Sequence, residues 1–283
     1  MNEETIFFSI IVVALNPGDK LQKTIDSILE QDYKSYEIVV KDGVSRDGSV
    51  EALEREYGTN SCLKVIRRPD RSIYDAMNQA LEAVKGDYVL FLNCGDTFYG
   101  RNVLAGTADT IAAVTGEEEA AGTWVFYGNT FCEQTGATVH SSPEITGFTC
   151  YRNIPCHQSC FYDRRLFQEK KYNTEYRIRA DYDHFLWCFY RAGAAMRYMD
   201  RIVAAYEGGG YSESKENRAR DREEHRMITG KYMGKGELMR YRAVMMLTLV
   251  PLRRWMAENS VLSGFYHWIK DMLYKRGGRR DMR

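Results

Sequence analysis

Proline is scarce in this chain, with five in 283 residues, and no two cysteines are spaced C-x-x-C. The seven cysteines (62, 94, 132, 150, 156, 160 and 188) are odd in number. That argues against a zinc cage and against a disulfide framework in a chain this long, and fits reduced thiols in a cytoplasmic protein. Net charge is also lacking: 39 Lys/Arg stand against 39 Asp/Glu. No global field then draws nucleic acid, which is not expected as a partner. No G-x-G-x-x-G follows the first apolar run, as a dinucleotide oxidoreductase would need. The stretch "ALNPGDK" has one glycine, a poor phosphate loop. The opening "MNEETIFFSIIVVAL" starts acidic, without the basic start or small-residue cleavage site of a signal peptide.

What is present is an alternation. "FFSIIVVAL" is a short β-branched run suited to a strand buried on both faces. Leu21, Ile25, Ile28 and Leu29 then recur with a helical period. "YEIVVK", "LKVIRR" and "DYVLFLN" read as further strands. Helices lie between them, marked by Val50, Leu53 and Tyr57, and by Met77, Ala80, Leu81 and Val84 with Ser72 as N-cap. This βαβαβαβ series predicts an α/β fold with a mostly parallel sheet flanked by helices. After Gly100 the pattern loosens. "WVFYGN", "HQSCFYD" and "YMDRIVAAY" read as strands and "RADYDHFLWCFYRAG" as a helix, with Phe185, Leu186, Phe189 and Tyr190 on one face. From Ser212 the chain reads as helical.

Open parallel sheets bind ligands beyond the carboxyl ends of their strands. Unusual polar residues sit at those ends: Ala14, Leu15 and Asn16 after the first strand, "KDGVSRDGS" at the second and "NCGD" at the fourth. Each alone is a turn former. Three at one edge point to a site.

From "IVVKDGVSRDGSVEAL" the sequence resembles the family 2 glycosyltransferases, through Asp42, Gly43, Ser45, Asp47, Gly48 and Ser49. "IYDAMNQAL", "GDYVLFLNCGD", "PCHQSCF", "RADYDHFL" and "YEGGGYS" follow in the order of a subgroup of that family. The resemblance spans roughly 8–212. It implies a GT-A fold, a Rossmann-like domain over 1–211 with a nucleotide-binding half (about 1–100) and an acceptor half (about 101–211). It also implies an inverting transfer of a sugar from a nucleotide-diphosphate donor, with a UDP-sugar as the first guess. The acceptor would be a hydroxyl of a growing polysaccharide or lipid-linked glycan.

Such a transfer needs one base and positive charge against the leaving diphosphate. By its place in the motif, Asp181 matches the family's base. The rival reading is an early-helix acid favoured by the helix dipole. Asp183 is a nearby carboxylate on the acceptor side, with Gly209 and Gly210 in a turn there. Asp42 would accept from the nucleotide base. Ala14 and Asn16 at the end of the first strand, and Asp75 and Asn78, three apart on one helix face, resemble donor-contacting positions. Asn93, Cys94 and Gly95 belong to the same edge, and Arg71, beside Arg67 and Arg68, is a candidate to offset diphosphate charge. Relatives carry Asp-x-Asp where this chain has Asn93 and Gly95, which leaves Asp96 as the carboxylate for Mn²⁺ or Mg²⁺. His157 is either a second metal ligand or a structural hydrogen bonder.

The tail 212–283 opens on "SESKENRARDREEHR", dense in both signs and read as a solvated helix, and then holds "AVMMLTLVPLRRWM". That run is too short to span a bilayer, which takes roughly 18 apolar residues. From Arg253 onward eight basic residues face three acidic ones. Phe265, Trp268, Ile269, Met272 and Leu273 precede Lys275, Arg276, Arg279 and Arg280. That composition suits a helix at the inner face of the cytoplasmic membrane. Packing on the domain, or in a homodimer, suits it equally. Two further functions stay open on the sequence: a noncatalytic sugar-nucleotide-binding protein, and a nucleotidyltransferase making sugar nucleotides.

Overall fold

Four short apolar runs become the parallel strands β1 (Phe8–Ala14), β2 (Tyr36–Asp42), β3 (Leu63–Arg67) and β4 (Tyr88–Phe91), in the order β3-β2-β1-β4. The computed structural model describes residues 5–116, 122–208 and 217–247. Ile10, Val12, Ile38, Val40 and Leu90 are all fully buried, as expected for strands covered on both faces. Helices α1 (Lys20–Leu29), α2 (Ser49–Tyr57) and α3 (Ile73–Ala80) join them. Ser72 caps α3 as expected, its hydroxyl accepting from Asp75 N at 3.2 Å. That helix stops at Ala80, short of Val84. Register pairs Ala14 with Asp42, and Asp42 with Arg67. Three strands therefore finish in one row, which builds a flush edge.

Beyond β4 the pairing turns mixed. The next elements are β5 (Thr97–Phe98), α4 (Val103–Thr115), β6 (Trp124–Cys132), β7 (Ala137–Val139), α5 (Gly147–Arg152), a 3₁₀ turn (His157–Ser159) and β8 (Cys160–Asp163). After them come α6 (Arg164–Glu169), α7 (Ala180–Tyr190) and β9 (Ala195–Tyr206). Among the described residues the sheet runs β3-β2-β1-β4-β8-β6-β9-β5, with β7 on β6. β8 is antiparallel to both β4 and β6, whereas β6 and β9 are parallel. The stretch "HQSCFYD" is a strand only from Cys160, because His157, Gln158 and Ser159 close a tight turn first. Helix α4 gave no clear signal in the sequence. Its buried face mixes Thr107 and Ala108 with Val103, Leu104 and Ile111, so small and polar residues dilute the period.

Helix α7 is buried nearly all round rather than on one face. Tyr182, Asp183, His184, Phe185, Leu186 and Cys188 are inside, while Phe189 and Tyr190 are only half-buried. Its anchor is aromatic. His184 stacks on Phe167 with centroids 4.1 Å apart, and Tyr172 joins Phe167 to Phe91 of β4.

The first compact unit runs to Tyr232, past the boundary expected at 211, and the second covers Met233–Arg283. The reason is α8 (Arg218–Tyr232), which the sequence presents as a solvated charged helix. Its Glu224 is buried and accepts from three consecutive backbone N–H groups, Arg177 (2.9 Å), Ile178 (3.0 Å) and Arg179 (2.9 Å). Those residues lead directly into α7. A helix α9 (Lys235–Leu247) belongs to the second unit. The remaining tail, including the apolar and basic segments from 248 onward, lies outside the described residues. Glu224→Leu would leave those three N–H groups without their acceptor. Hydrogen bonds to charged groups contribute about 1.5–3 kcal/mol each, so losing three should lower stability by about 4–5 kcal/mol or more. A urea midpoint equal to wild type would contradict this.

Candidate active site

At the end of β4 the chain makes a tight turn, Asp96 N donating to Asn93 O at 3.0 Å. Gly95 supports it with φ +98°, a conformation that side chains resist. Thr24 of α1 ties the turn down: its hydroxyl donates to Asp96 O (2.8 Å) and accepts from Gly95 N (2.9 Å). Asp96 is 8% exposed, and its Oδ2 accepts from Gln158 Nε2 at 2.6 Å. Burial pushes its carboxyl up, with Gln158 and the nearby His157 pulling partly the other way. Burial also pushes the Cys94 thiol up to about 12, so it is not a nucleophile at neutral pH.

The neighbouring residue of the same 3₁₀ turn reaches the other side. His157 Nδ1 stands 3.4 Å from Asp181 Oδ2, and His157 Nε2 stands 3.1 Å from Asn93 Nδ2. Asp181 is the second residue of α7 and is about one-fifth exposed. Tyr74 of α3 places its hydroxyl 2.9 Å from Asp181 Oδ1. Burial alone would raise the Asp181 carboxyl, yet the His157 ring and the Tyr74 hydroxyl hold it below the ordinary carboxylate value. Consecutive residues, His157 and Gln158, thus contact Asp181 and Asp96 respectively.

Several expected site residues turn out to be committed elsewhere. Asp42 is fully buried and saturated: Ser45 donates through N (3.0 Å) and Oγ (2.5 Å), and Arg67 Nε donates at 2.9 Å. It shapes the turn after β2. Ala14 ends β1 with its carbonyl accepting from Gly43 N (2.9 Å). Asn16, at φ +48°, bridges to the same turn through Ser45 Oγ and Arg46 N, both 2.8 Å. The turn carries Val44 at φ +71°, an unusual conformation for a β-branched residue. Asp75 accepts from Arg71 N at 2.9 Å, closing the capping of α3, and Asn78 clasps the Tyr172 backbone with two bonds (2.9 and 3.0 Å). These bonds seat the first turn and one face of α3.

Asp183 is likewise corrected. It is fully buried, paired with Lys170 and Lys231 and bonded by Tyr232 Oη at 3.0 Å, so it faces α8 and not a cleft. Of the three arginines, Arg67 is paired with Asp42 and Glu51, and Arg68 with Glu82. Arg71 keeps 84% of its side chain exposed. Gly209 and Gly210 lie outside the described residues. The residues sequence reasoning missed are Tyr74, Gln158, Thr24 and Glu224. The "IYD" tyrosine and the "HQ" glutamine were inside motifs already singled out, whereas Thr24 and Glu224 carried no local signal.

Residues 9–113 match the profile of the glycosyl transferase family 2. A PGL/p-HBAD biosynthesis glycosyltransferase of Mycobacterium tuberculosis is 32% identical over 252 residues, 88% of this chain and 90% of that protein. The chain belongs to glycosyl transferase family 2. Solved structures agree on the GT-A fold. S. aureus TarS (residues 1–349), in complex with UDP-GlcNAc, superposes with a TM-score of 0.63 at 20% identity, over 79% of this chain and 66% of that one. The mannosyltransferase PcManGT from Pyrobaculum calidifontis, in complex with GDP-Man and Mn²⁺, gives 0.61 at 16% identity, over 93% and 83%. This family 2 member is therefore a glycosyltransferase enzyme. Among the described residues no three His, Cys, Asp or Glu side chains cluster as a metal cage. Asp96 nevertheless suits a cation that takes one protein carboxylate and completes its shell from phosphate and water. The two ring nitrogens of His157 face Asp181 and Asn93.

The raised Asp96 carboxyl gives a signed prediction. A group with a raised folded-state pKa adds stability below its unfolded value and loses it as pH rises through the folded one. At neutral pH the ionised Asp96 therefore opposes folding until a cation meets it. Asp96→Asn keeps an acceptor for Gln158. Its melting temperature without metal should equal or exceed wild type, while the thermal shift with Mn²⁺ plus UDP should vanish. A fall of several degrees without metal, or an intact shift, would contradict this.

Proposed function

We propose an inverting transfer in which a sugar moves from a nucleoside-diphosphate sugar, with UDP as the first choice of nucleotide, to a hydroxyl of a growing polysaccharide or lipid-linked glycan. The observation that carries this reading is the placement of two carboxylates of opposite character. Asp181 is held ionised at the start of α7, and Asp96 is buried at the end of β4. Asp181 takes the proton of the acceptor oxygen as that oxygen bonds to the anomeric carbon and the carbon–diphosphate bond breaks. One displacement inverts the centre. A well-placed base contributes roughly 10²–10⁴-fold in rate. Asp96 would hold a Mn²⁺ or Mg²⁺ ion, which offsets the charge developing on the diphosphate. Arg71 is the exposed arginine beside α3 suited to the same task. The turn of Asn16, Asp42, Ser45 and Val44 forms the floor beside the nucleotide.

The neighbours caught with UDP-GlcNAc and with GDP-Man support a sugar-nucleotide donor but differ in base and sugar. Thermal shift and hydrolysis across a panel of nucleotide sugars, with and without Mn²⁺, identifies the donor. With that donor, Asp181→Asn should bind nucleotide normally and lose transfer by roughly 10²-fold or more. Retained transfer would remove Asp181 as base. Exhaustive chelation should abolish turnover, and undiminished turnover would remove the cation.

For the tail beyond 247 we propose a peripheral membrane contact, supported by its apolar, aromatic and basic composition. No described helix is long and apolar enough to cross a bilayer. Replacing Lys275, Arg276, Arg279 and Arg280 by Gln in the full chain should weaken sedimentation with anionic liposomes. Equal partitioning would leave packing or dimerisation as the tail's role.

A further inference from the structure

Asn93, His157, Asp181 and Tyr74 come from four separate elements: the turn after β4, the 3₁₀ turn, the start of α7, and α3. They form one line of polar contacts. Asn93 Nδ2 lies 3.1 Å from His157 Nε2, His157 Nδ1 lies 3.4 Å from Asp181 Oδ2, and Tyr74 Oη lies 2.9 Å from Asp181 Oδ1. Nδ1 of the ring thus faces the carboxylate, and Nε2 faces the side-chain amide of Asn93. Tyr74 cannot hold Asp181 alone. Its hydroxyl also lies 2.6 Å from Ile178 O, and one proton serves both acceptors. The second oxygen of Asp181 depends on His157.

The Asn93 amide holds the ring with Nδ1 toward Asp181. Both ring nitrogens are engaged, so neither is turned to Asp96, and Gln158 occupies Asp96 Oδ2 from the same turn.

Building on the reading of Asp181 as base, we propose that His157 is its positioning residue and not a metal ligand. Its Nδ1–H holds Oδ2, with Tyr74 on Oδ1, so that a lone pair of the carboxylate faces the acceptor hydroxyl. Asn93 links the donor end of β4 to that base through the ring.

The groups that bear on Asp181 are His157 from the 3₁₀ turn, Tyr74 from α3 and, farther off, Tyr172, Cys160, Tyr162 and His184. Burial pushes the phenols and the thiol up and His184 down to about 3, so these are uncharged near neutral pH. Loss of His157 removes the main group that holds the Asp181 carboxyl low. The acid limb of kcat/KM should therefore move to higher pH.

The test uses the full chain and the donor found by the panel, comparing wild type with His157→Ala, His157→Asn, His157→Gln and Asp181→Asn. Asn places an N–H near the position of Nδ1, whereas Gln places it near Nε2 and away from Asp181. We expect His157→Ala to lower kcat roughly tenfold or more, a part of the base's roughly 10²–10⁴-fold. Donor KM should stay within about threefold, and the acid limb should rise. His157→Asn should recover most of kcat, His157→Gln should not, and the calorimetric affinity for UDP with Mn²⁺ should be unchanged in all three. If His157→Ala does not fold, the contrast between Asn and Gln carries the test. Unchanged kcat and acid limb in the His157 variants would overturn the proposal, as would a loss of Mn²⁺-dependent UDP affinity. Transfer by Asp181→Asn would sink the base reading itself, which His157 results alone do not touch.

Discussion

Two consecutive side chains in a three-residue turn carry the constraint on which this site depends. Gln158 donates to Asp96 and His157 faces Asp181, so the distance and orientation between the two carboxylates follow from one short piece of backbone. The turn is fixed in its own right: Ser159 N and the Ser159 hydroxyl both donate to Cys156 O, at 2.9 and 2.8 Å. It leads into β8, which is bonded to β4 on one side and β6 on the other. The clasp is therefore mounted on the sheet. Residues that must act within a few tenths of an ångström gain from such mounting, since misplacement of reacting groups costs rate steeply.

The second support is less direct. Asp181 is only as well placed as the start of α7, and the approach to that helix is held by Glu224 from α8. A buried carboxylate is costly unless its lone pairs are used; here three N–H groups of one loop use them. Asp183, two residues further along, is used in the same spirit, with two lysines and a tyrosine around it. The two carboxylates of "RADYD" thus divide their tasks by direction. One points back toward α3 and the turn, and the other is spent on joining α7 to α8.

The parallel half of the fold was legible because its strands are uninterrupted β-branched runs between helices of clear period. The edge where the site lies was legible for the same reason, since strand ends in such a sheet are where polar residues need an explanation. Individual roles were harder. Asp42, Asp75 and Asn78 have the residue types of ligand contacts, but each is engaged by other partners: Asp75 by Arg71 and Gln79 within its own helix region, the other two by residues farther off. Asp42 takes Arg67 from the next strand, and Asn78 takes the Tyr172 backbone 94 positions away. A one-dimensional pattern carries no information on such satisfaction. Helix α8 was misread for a related reason. One buried glutamate among many exposed charges does not disturb a polar composition, although it ties the helix to the domain. The family resemblance placed Asp181 and Asp96, and the geometry added the side chains that hold them.

The most direct test is a crystal structure of the full chain with the intact donor, identified by the nucleotide-sugar panel, and Mn²⁺. The account predicts the cation between Asp96 and the diphosphate, the anomeric carbon open toward Asp181, and His157 still turned to the carboxylate. A cation ligated by His157, or a donor whose anomeric carbon lies away from Asp181, would contradict it.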